Sequence, residues 1–315
     1  MKSRLGDTQI EVCPLVFGTL PLGPLQADLA PAGGARLIRF ALEQGVNLID
    51  TAELYGTYAH IRGALEGFSG EVRIATKTHA PTAALAREHL EKAFRELGRD
   101  YLDIVHVHGA RLADPFTERA EVFELLHRMK EEGRIGAVGL SSHYISVVRR
   151  AAGRSEAQVI HPLINREGRG ILDGGASEMA EAISAAAAAG KGIYAMKAMA
   201  GGNLIAQARA SLAYVRDLPG VQGVAVGMLS EKEILANLAL LERRPEDEAL
   251  WGELEKGRRR LQIMEPFCKG CGACAKVCVE GAMTMDEGRA KVNQDACVLC
   301  GYCAAACPEF IIRVV

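Results

Sequence analysis

Eight short apolar runs rich in Val and Ile, each followed by a segment of helical period, predict an α/β protein: a (β/α)8 TIM barrel with a small α+β domain after it. Two further observations agree. The runs are apolar throughout, the pattern of a parallel sheet covered by helices. No Gly-x-Gly-x-x-Gly joins the first run to the first helix, as an open dinucleotide-binding sheet would have. From Phe267 the rhythm stops, and eight of the nine cysteines follow.

The first dozen residues, with Gly6-Asp7 between β-like stretches, read as a hairpin plugging one end of the barrel. The expected strands are Leu15–Leu20, Asn47–Thr51, Val72–Thr78, Leu102–His108, Ile135–Ser141, Gln158–Ile164, Gly192–Met199 and Val221–Met228. The helices that follow them are Pro31–Gln44, Tyr58–Gly67, Thr82–Leu97, Thr117–Glu132, Tyr144–Ala152, Ser177–Ala189, Asn203–Arg216 and Glu231–Arg243. Gly33-Gly34 is read as a turn at a helix start. The chain then becomes strongly charged, which marks a helical linker with Trp251 and Leu254 as its packing contacts. The expected domains are a barrel at 1–243, a linker at 244–266 and a cysteine-rich domain at 267–315.

With 49% hydrophobic and 24% charged residues the composition is that of an ordinary globular protein. A net charge of −2, with no basic stripe interleaved with aromatics, argues against nucleic acid as a partner. No apolar run approaches the length of a membrane span, and the N-terminus does not read as a secretory leader, so the expected location is the cytoplasm. Cys13, in an apolar strand-like context, is read as a buried small hydrophobe.

The tail reads Cys268-x2-Cys271-x2-Cys274-x3-Cys278 and then Cys297-x2-Cys300-x2-Cys303-x3-Cys307-Pro308. Three thiolates two residues apart wrap one face of an iron-sulfur cube, and the fourth, three residues on, completes the neighbouring cluster. That exchange assigns one [4Fe-4S] cluster to Cys268, Cys271, Cys274 and Cys307, and the other to Cys297, Cys300, Cys303 and Cys278. A zinc ribbon also uses Cys-x2-Cys pairs, but it has no use for a third cysteine at the same step followed by one at three. The segment resembles the bacterial two-cluster ferredoxin, with Val279 standing where that family repeats the proline seen at Pro308.

In a barrel the acting residues lie at the carboxyl ends of the strands. Those positions hold Asp50, Tyr55, Lys77 and His108. An ammonium held by a carboxylate favours a nearby phenolate and so eases proton donation from a tyrosine, while an imidazole beside it orients a carbonyl oxygen. The set can protonate a carbonyl while hydride arrives at its carbon. His106 is expected to face away from the site and to be structural.

The segments Asn47-Leu-Ile-Asp50-Thr-Ala-Glu-Leu-Tyr55-Gly, Ile74-Ala-Thr-Lys77, Tyr101-Leu-Asp-Ile-Val-His-Val-His108 and Gly139-Leu-Ser-Ser142 resemble the aldo-keto reductase superfamily, over about Arg4 to Asn237. The resemblance implies catalysis by Asp50, Tyr55, Lys77 and His108, and a nicotinamide cofactor, NAD or NADP, across the barrel mouth. Its contacts would be Thr19, Ser141, Ser142, His161, Lys197, Gly201, Gly202, Ser230 and Asn237. Ser142 stands where the family has Asn, His161 where it has Gln, and Met196 where an aromatic stacks on the nicotinamide. Glu233 stands in the turn that carries basic residues in NADP-using members, which puts NADP preference in doubt; Ser230-x-x-Glu233 is also a capping box. His60 and His79 fall near the mouth without an assigned role.

The expected function is NAD(P)H-dependent reduction of a small aldehyde or ketone, with Tyr55 as proton donor and a fused electron-transfer domain. The alternative is an electron-transfer subunit or redox scaffold whose barrel has lost dinucleotide chemistry. Nicotinamide delivers electrons in pairs and clusters move them singly, so the clusters serve the mouth of the barrel, a redox partner protein, or stability.

Overall fold

A computed structural model describes residues 2–309 and 311–315. Eight parallel strands close into a barrel in sequence order: Leu15–Gly18, Leu48–Asp50, Arg73–Thr78, Leu102–His108, Ile135–Ser142, Val159–Pro162, Gly192–Ala195 and Gly223–Gly227. The last pairs with the first, Val224 opposite Leu15 and Gly227 opposite Gly18. An antiparallel hairpin of Ser3–Arg4 and Glu11–Val12 precedes the barrel. Its Leu5, Ile10 and Val12 are buried with the interior residues Val16, Leu48, Ala75, Ile104, Ala137 and Val159, which makes it the plug of the amino-terminal end.

Helices cover the outside and bury apolar stripes against the strands. The helix Ala83–Leu97 starts where the Thr82 side chain accepts from Leu85 N. Gly33 and Gly34 lie inside the helix Pro31–Glu43 rather than at a turn, and a Cβ at Gly34 would collide with the His60 ring. The helix expected at 117–132 is two, Pro115–Glu118 and Ala120–Glu131, broken where Arg119 leaves helical geometry at φ −130°. The seventh strand also ends earlier than its apolar run. Lys197 (φ 60°), Gly201 (φ 72°) and Gly202 (φ 123°) are left-handed or beyond it, so tight turns fill the chain until the helix Ala208–Arg216.

Beyond the helix Glu248–Leu254, the strand Leu261–Ile263 pairs antiparallel with Ile312–Val314. The small domain adds the hairpin Met283–Asp286 with Arg289–Val292 and two short helices, Ala273–Val277 and Tyr302–Ala305. It sits on the carboxyl-terminal mouth of the barrel. Asn203 Nδ2 donates to Cys297 O (2.8 Å), Gln26 Nε2 to Leu299 O (3.1 Å) and Arg111 Nη1 to Val279 O (2.7 Å), and Arg111 pairs with Glu280. None of the helices described is long and apolar enough to cross a membrane.

Candidate functional site at the barrel mouth

Asp50 ends the second strand, Lys77 lies near the end of the third and His108 ends the fourth, while Tyr55 closes the turn Glu53–Tyr55. Lys77 Nζ donates to Asp50 Oδ1 at 2.6 Å and to Thr51 O at 2.9 Å, and lies 5.1 Å from the centre of the Tyr55 ring. The ion pair is shielded from water, with side chains 1% and 5% exposed. Burial lowers the Lys77 ammonium's pKa against the pull of Asp50. Burial, then Asp50, pushes the Tyr55 hydroxyl far above its ordinary value, so it stays protonated. His108 is lowered to about 3 by burial and the Lys77 charge, so its imidazole is neutral.

Beneath this set lies a buried relay absent from the sequence expectations. Tyr194 Oη donates to Asp50 Oδ2 at 2.8 Å and meets His106 Nε2 at 2.6 Å, so His106 Nε2 carries a proton. His161 Nδ1 donates to Tyr194 O at 2.7 Å, its ring stacks on Tyr194 at 4.2 Å, and its Nε2 stands 3.8 Å from Asp50 Oδ2. His106 therefore does not face away from the site. Residues two apart on a strand share a face, so His106 and His108 both point into the barrel.

A cavity of about 170 Å³ opens over Asp50 and Tyr55 and extends to Asn237 and Trp251. His161, Lys197, Gly201, Gly202 and Asn237 line it, as does Met196. Thr19, Ser141, Ser142 and Ser230 do not line it, and their hydroxyls bond within the protein. Thr19 Oγ1 donates to Asp50 O (3.1 Å), and Ser141 Oγ meets His108 Nδ1 (2.8 Å). Ser142 and Ser230 accept from the backbone of Tyr144 and Glu233. Glu233 Oε2 accepts from Leu229 N, one residue before the N-cap Ser230, so only the Ser230 half of the expected capping box is seen, and the residue still borders the cavity. His60 Nε2 donates to Leu29 O (2.8 Å) and His79 lies 3.7 Å from Glu53, both outside the cavity wall.

Gly201 and Gly202, expected cofactor contacts, are approached here by the linker and the small domain. A Cβ at Gly201 would collide with the Val298 carbonyl, and one at Gly202 would crowd Arg259 and Leu299. Tyr302 reaches further in: its hydroxyl lies 3.3 Å from His108 Nε2 and its ring packs with Leu25, Ala52 and Tyr55. Within the tail only its cysteine spacing carried a signal, so Tyr302, like Tyr194 and Arg259, was missed.

The eight tail cysteines are unpaired and line two cavities. Cys268, Cys271, Cys274 and Cys307 surround one, and Cys278, Cys297, Cys300 and Cys303 the other, three from one run and one from the other in each case. Four thiols around one cavity fit an iron-sulfur cluster. Cys300 also borders the cavity over Tyr55.

A parallel eight-stranded barrel with a buried carboxylate–ammonium pair, a tyrosine and an imidazole at its carboxyl-terminal mouth is the arrangement that the sequence resemblance implies. The aldo/keto reductase family model matches residues 14–211, and the chain belongs to that family. A 4Fe-4S dicluster domain model matches residues 267–311. The aldo-keto reductase YhdN of Bacillus subtilis is 30% identical over 180 residues, 52% of this chain and 53% of that protein. The uncharacterized oxidoreductase YqkF of the same organism is 27% identical over 169 residues, 49% and 53%. The chain thus spans about half the length of these curated relatives. A solved structure of a putative aldo-keto reductase from Pseudomonas aeruginosa aligns with a TM-score of 0.66 at 31% identity, over 77% of this chain and 94% of that one.

Proposed function

We propose that the barrel carries out NAD(P)H-dependent reduction of a small aldehyde or ketone, with Tyr55 as the proton donor. The observation that carries this reading is the buried Lys77–Asp50 pair against the Tyr55 ring, at the floor of a cavity that runs on to Asn237. Lys77 stabilises the phenolate that forms as Tyr55 gives up its proton. Neutral His108 orients the carbonyl oxygen. Tyr194 and Lys77 each donate a hydrogen bond to the Asp50 carboxyl group, one to each oxygen, and so fix its orientation. The nicotinamide, when bound, supplies hydride to the carbonyl carbon. His161, Lys197 and Asn237 on the cavity wall are the residues that would hold the nucleotide, and the Glu233 carboxylate disfavours an added 2′-phosphate, so NADH is the expected donor. In the tail, Cys268, Cys271, Cys274 and Cys307 would hold one [4Fe-4S] cluster and Cys278, Cys297, Cys300 and Cys303 the other.

Anaerobic assay of the cluster-loaded protein with NADH and NADPH over a panel of aldehydes and ketones tests this. Turnover that drops by about 10²–10⁴ in Tyr55→Phe supports it, and turnover unaffected by that change refutes it. A second reading, a redox scaffold with a silent barrel, is favoured by one observation: the turn 298–302 crowds Gly201 and contacts His108. Reducible clusters together with no calorimetric binding of either nucleotide would select it.

A further inference from the structure

The His108 ring is held at both nitrogens. On one side Ser141 stands opposite His108 on the neighbouring strand, its Oγ at 2.8 Å from Nδ1. On the other, Nε2 meets a hydroxyl 3.3 Å away that comes from 194 residues further along the chain, in the cluster domain. Three independent features put Tyr302 there. Gly301 (φ 81°) lies so close to the loop after the first strand that a Cβ would collide with the Leu25 carbonyl, so the turn is pressed flat on the barrel. The ring of Tyr302 is packed with Leu25, Ala52 and Tyr55. Its chain neighbours Cys300 and Cys303 line the second cluster cavity, and Tyr302 lines it with them.

We propose that Tyr302 is a positioning residue of the barrel site, supplied by the cluster domain, which orients and covers His108 Nε2 and is itself fixed in place by the second cluster. This rests on the proposed function only in the kinetic consequence; the contact and its dependence on the cluster stand apart from it. Ser141 alone leaves the imidazole free to tilt about one hydrogen bond, and two opposed hydroxyls fix its plane. At 3.3 Å the Tyr302 bond is the longer and weaker of the pair. It is therefore the one that yields when a carbonyl oxygen needs Nε2. Assembly of the second cluster around Cys300 and Cys303 pins the turn between them, so a protein without that cluster has the four barrel residues but a loosely held His108.

The test reads His108 directly. Diethyl pyrocarbonate acylates neutral imidazole nitrogens, and peptide mass spectrometry resolves each histidine. In anaerobic, cluster-loaded protein His108 should react slowly. In Tyr302→Ala, and in wild-type protein depleted of clusters, its rate should rise by about tenfold, while His106 and His161 inside the barrel stay protected. Tyr302→Phe keeps the ring and removes the hydroxyl. It should retain both clusters by absorbance and iron content, lower kcat about 3- to 10-fold with little change in KM, as loss of one hydrogen bond implies, and shift the pH profile. An unchanged His108 rate in Tyr302→Ala overturns the contact, and equal rates with and without clusters overturn the role of the cluster. If Tyr55→Phe keeps full activity while Tyr302→Ala exposes His108, the reaction assignment fails and this one stands.

Discussion

The seating of the cluster domain on the barrel can be tested at Gly201. Two costs are separable there. Gly201 has φ 72°, and forcing an alanine into that region costs about 1–2 kcal/mol. A Cβ would also come within 3.0 Å of the Val298 carbonyl, with its carbon at 2.9 Å, so the backbone of 298–302 must move; overpacking of this kind costs about 1–3 kcal/mol. Gly67 is the control, because it has nearly the same φ, 67°, and nothing within 4 Å of the added Cβ. Gly67→Ala should therefore lose only the backbone part. Gly201→Ala should lose both, about 2–5 kcal/mol, with the excess appearing as lifting of the turn from the barrel. Denaturant unfolding gives the totals. Hydrogen exchange at 297–302, faster by about five- to a hundredfold in Gly201→Ala alone, locates the excess. Equal losses in the two variants, or unchanged exchange in the turn, would refute the contact.

Lys77→Met leaves the Asp50 carboxylate buried without its ammonium and should destabilise the barrel by about 3–5 kcal/mol, with Asp50→Asn/Lys77→Met recovering much of it in a thermal melt. Tyr194→Phe removes a hydrogen bond to the carboxylate and an acceptor from His106, for a loss of about 2 kcal/mol in a denaturant titration. Burial lowers His106, His143 and His161 well below the imidazole range and His108 to about 3. The unfolded chain thus takes up protons below about pH 6.5 that the native barrel refuses. Stability is full above that pH and should fall as pH is lowered toward 3. His143→Gln should shallow the slope by a fraction of a proton that grows through about pH 6.5 and approaches one proton below about pH 5.5 in anaerobic denaturant titrations, and a flat profile in the wild type would contradict the burial. Asn203→Ala, which loses the bonds to Cys297 O and to Ala200 O, should loosen the turn after the seventh strand together with the small domain by about 1–2 kcal/mol, read as faster hydrogen exchange at 297–302.

Local pattern was enough for the elements that repeat. All-apolar runs with helices between them specify a covered parallel sheet, and cysteines two, two and three residues apart specify ligands for paired clusters, because both signals are carried by spacing along the chain. The same spacing placed Asp50, Tyr55, Lys77 and His108 at strand ends, where the barrel brings them together. Strand ends were less legible where the backbone turns left-handed: the apolar run Gly192–Met199 continues past the strand, and only the conformation of Lys197 stops it. Hydroxyls are less legible for another reason. Thr19, Ser141, Ser142 and Ser230 have the chemistry to hold a cofactor, but whether a hydroxyl is free depends on which backbone or imidazole group reaches it first.

What tertiary structure alone decided is how the two halves meet. Gly201, a cofactor contact by resemblance, is packed against a carbonyl from the tail, and Tyr302, on which the sequence carried no signal, touches His108. Both contacts join residues about a hundred or more positions apart. No periodicity or motif encodes such a pairing, because it follows from the shape of two folded surfaces. The sequence alone determined an aldo/keto reductase family barrel with a 4Fe-4S dicluster tail; packing determined that the turn between Cys297 and Cys303 forms the roof of the Tyr55 cavity.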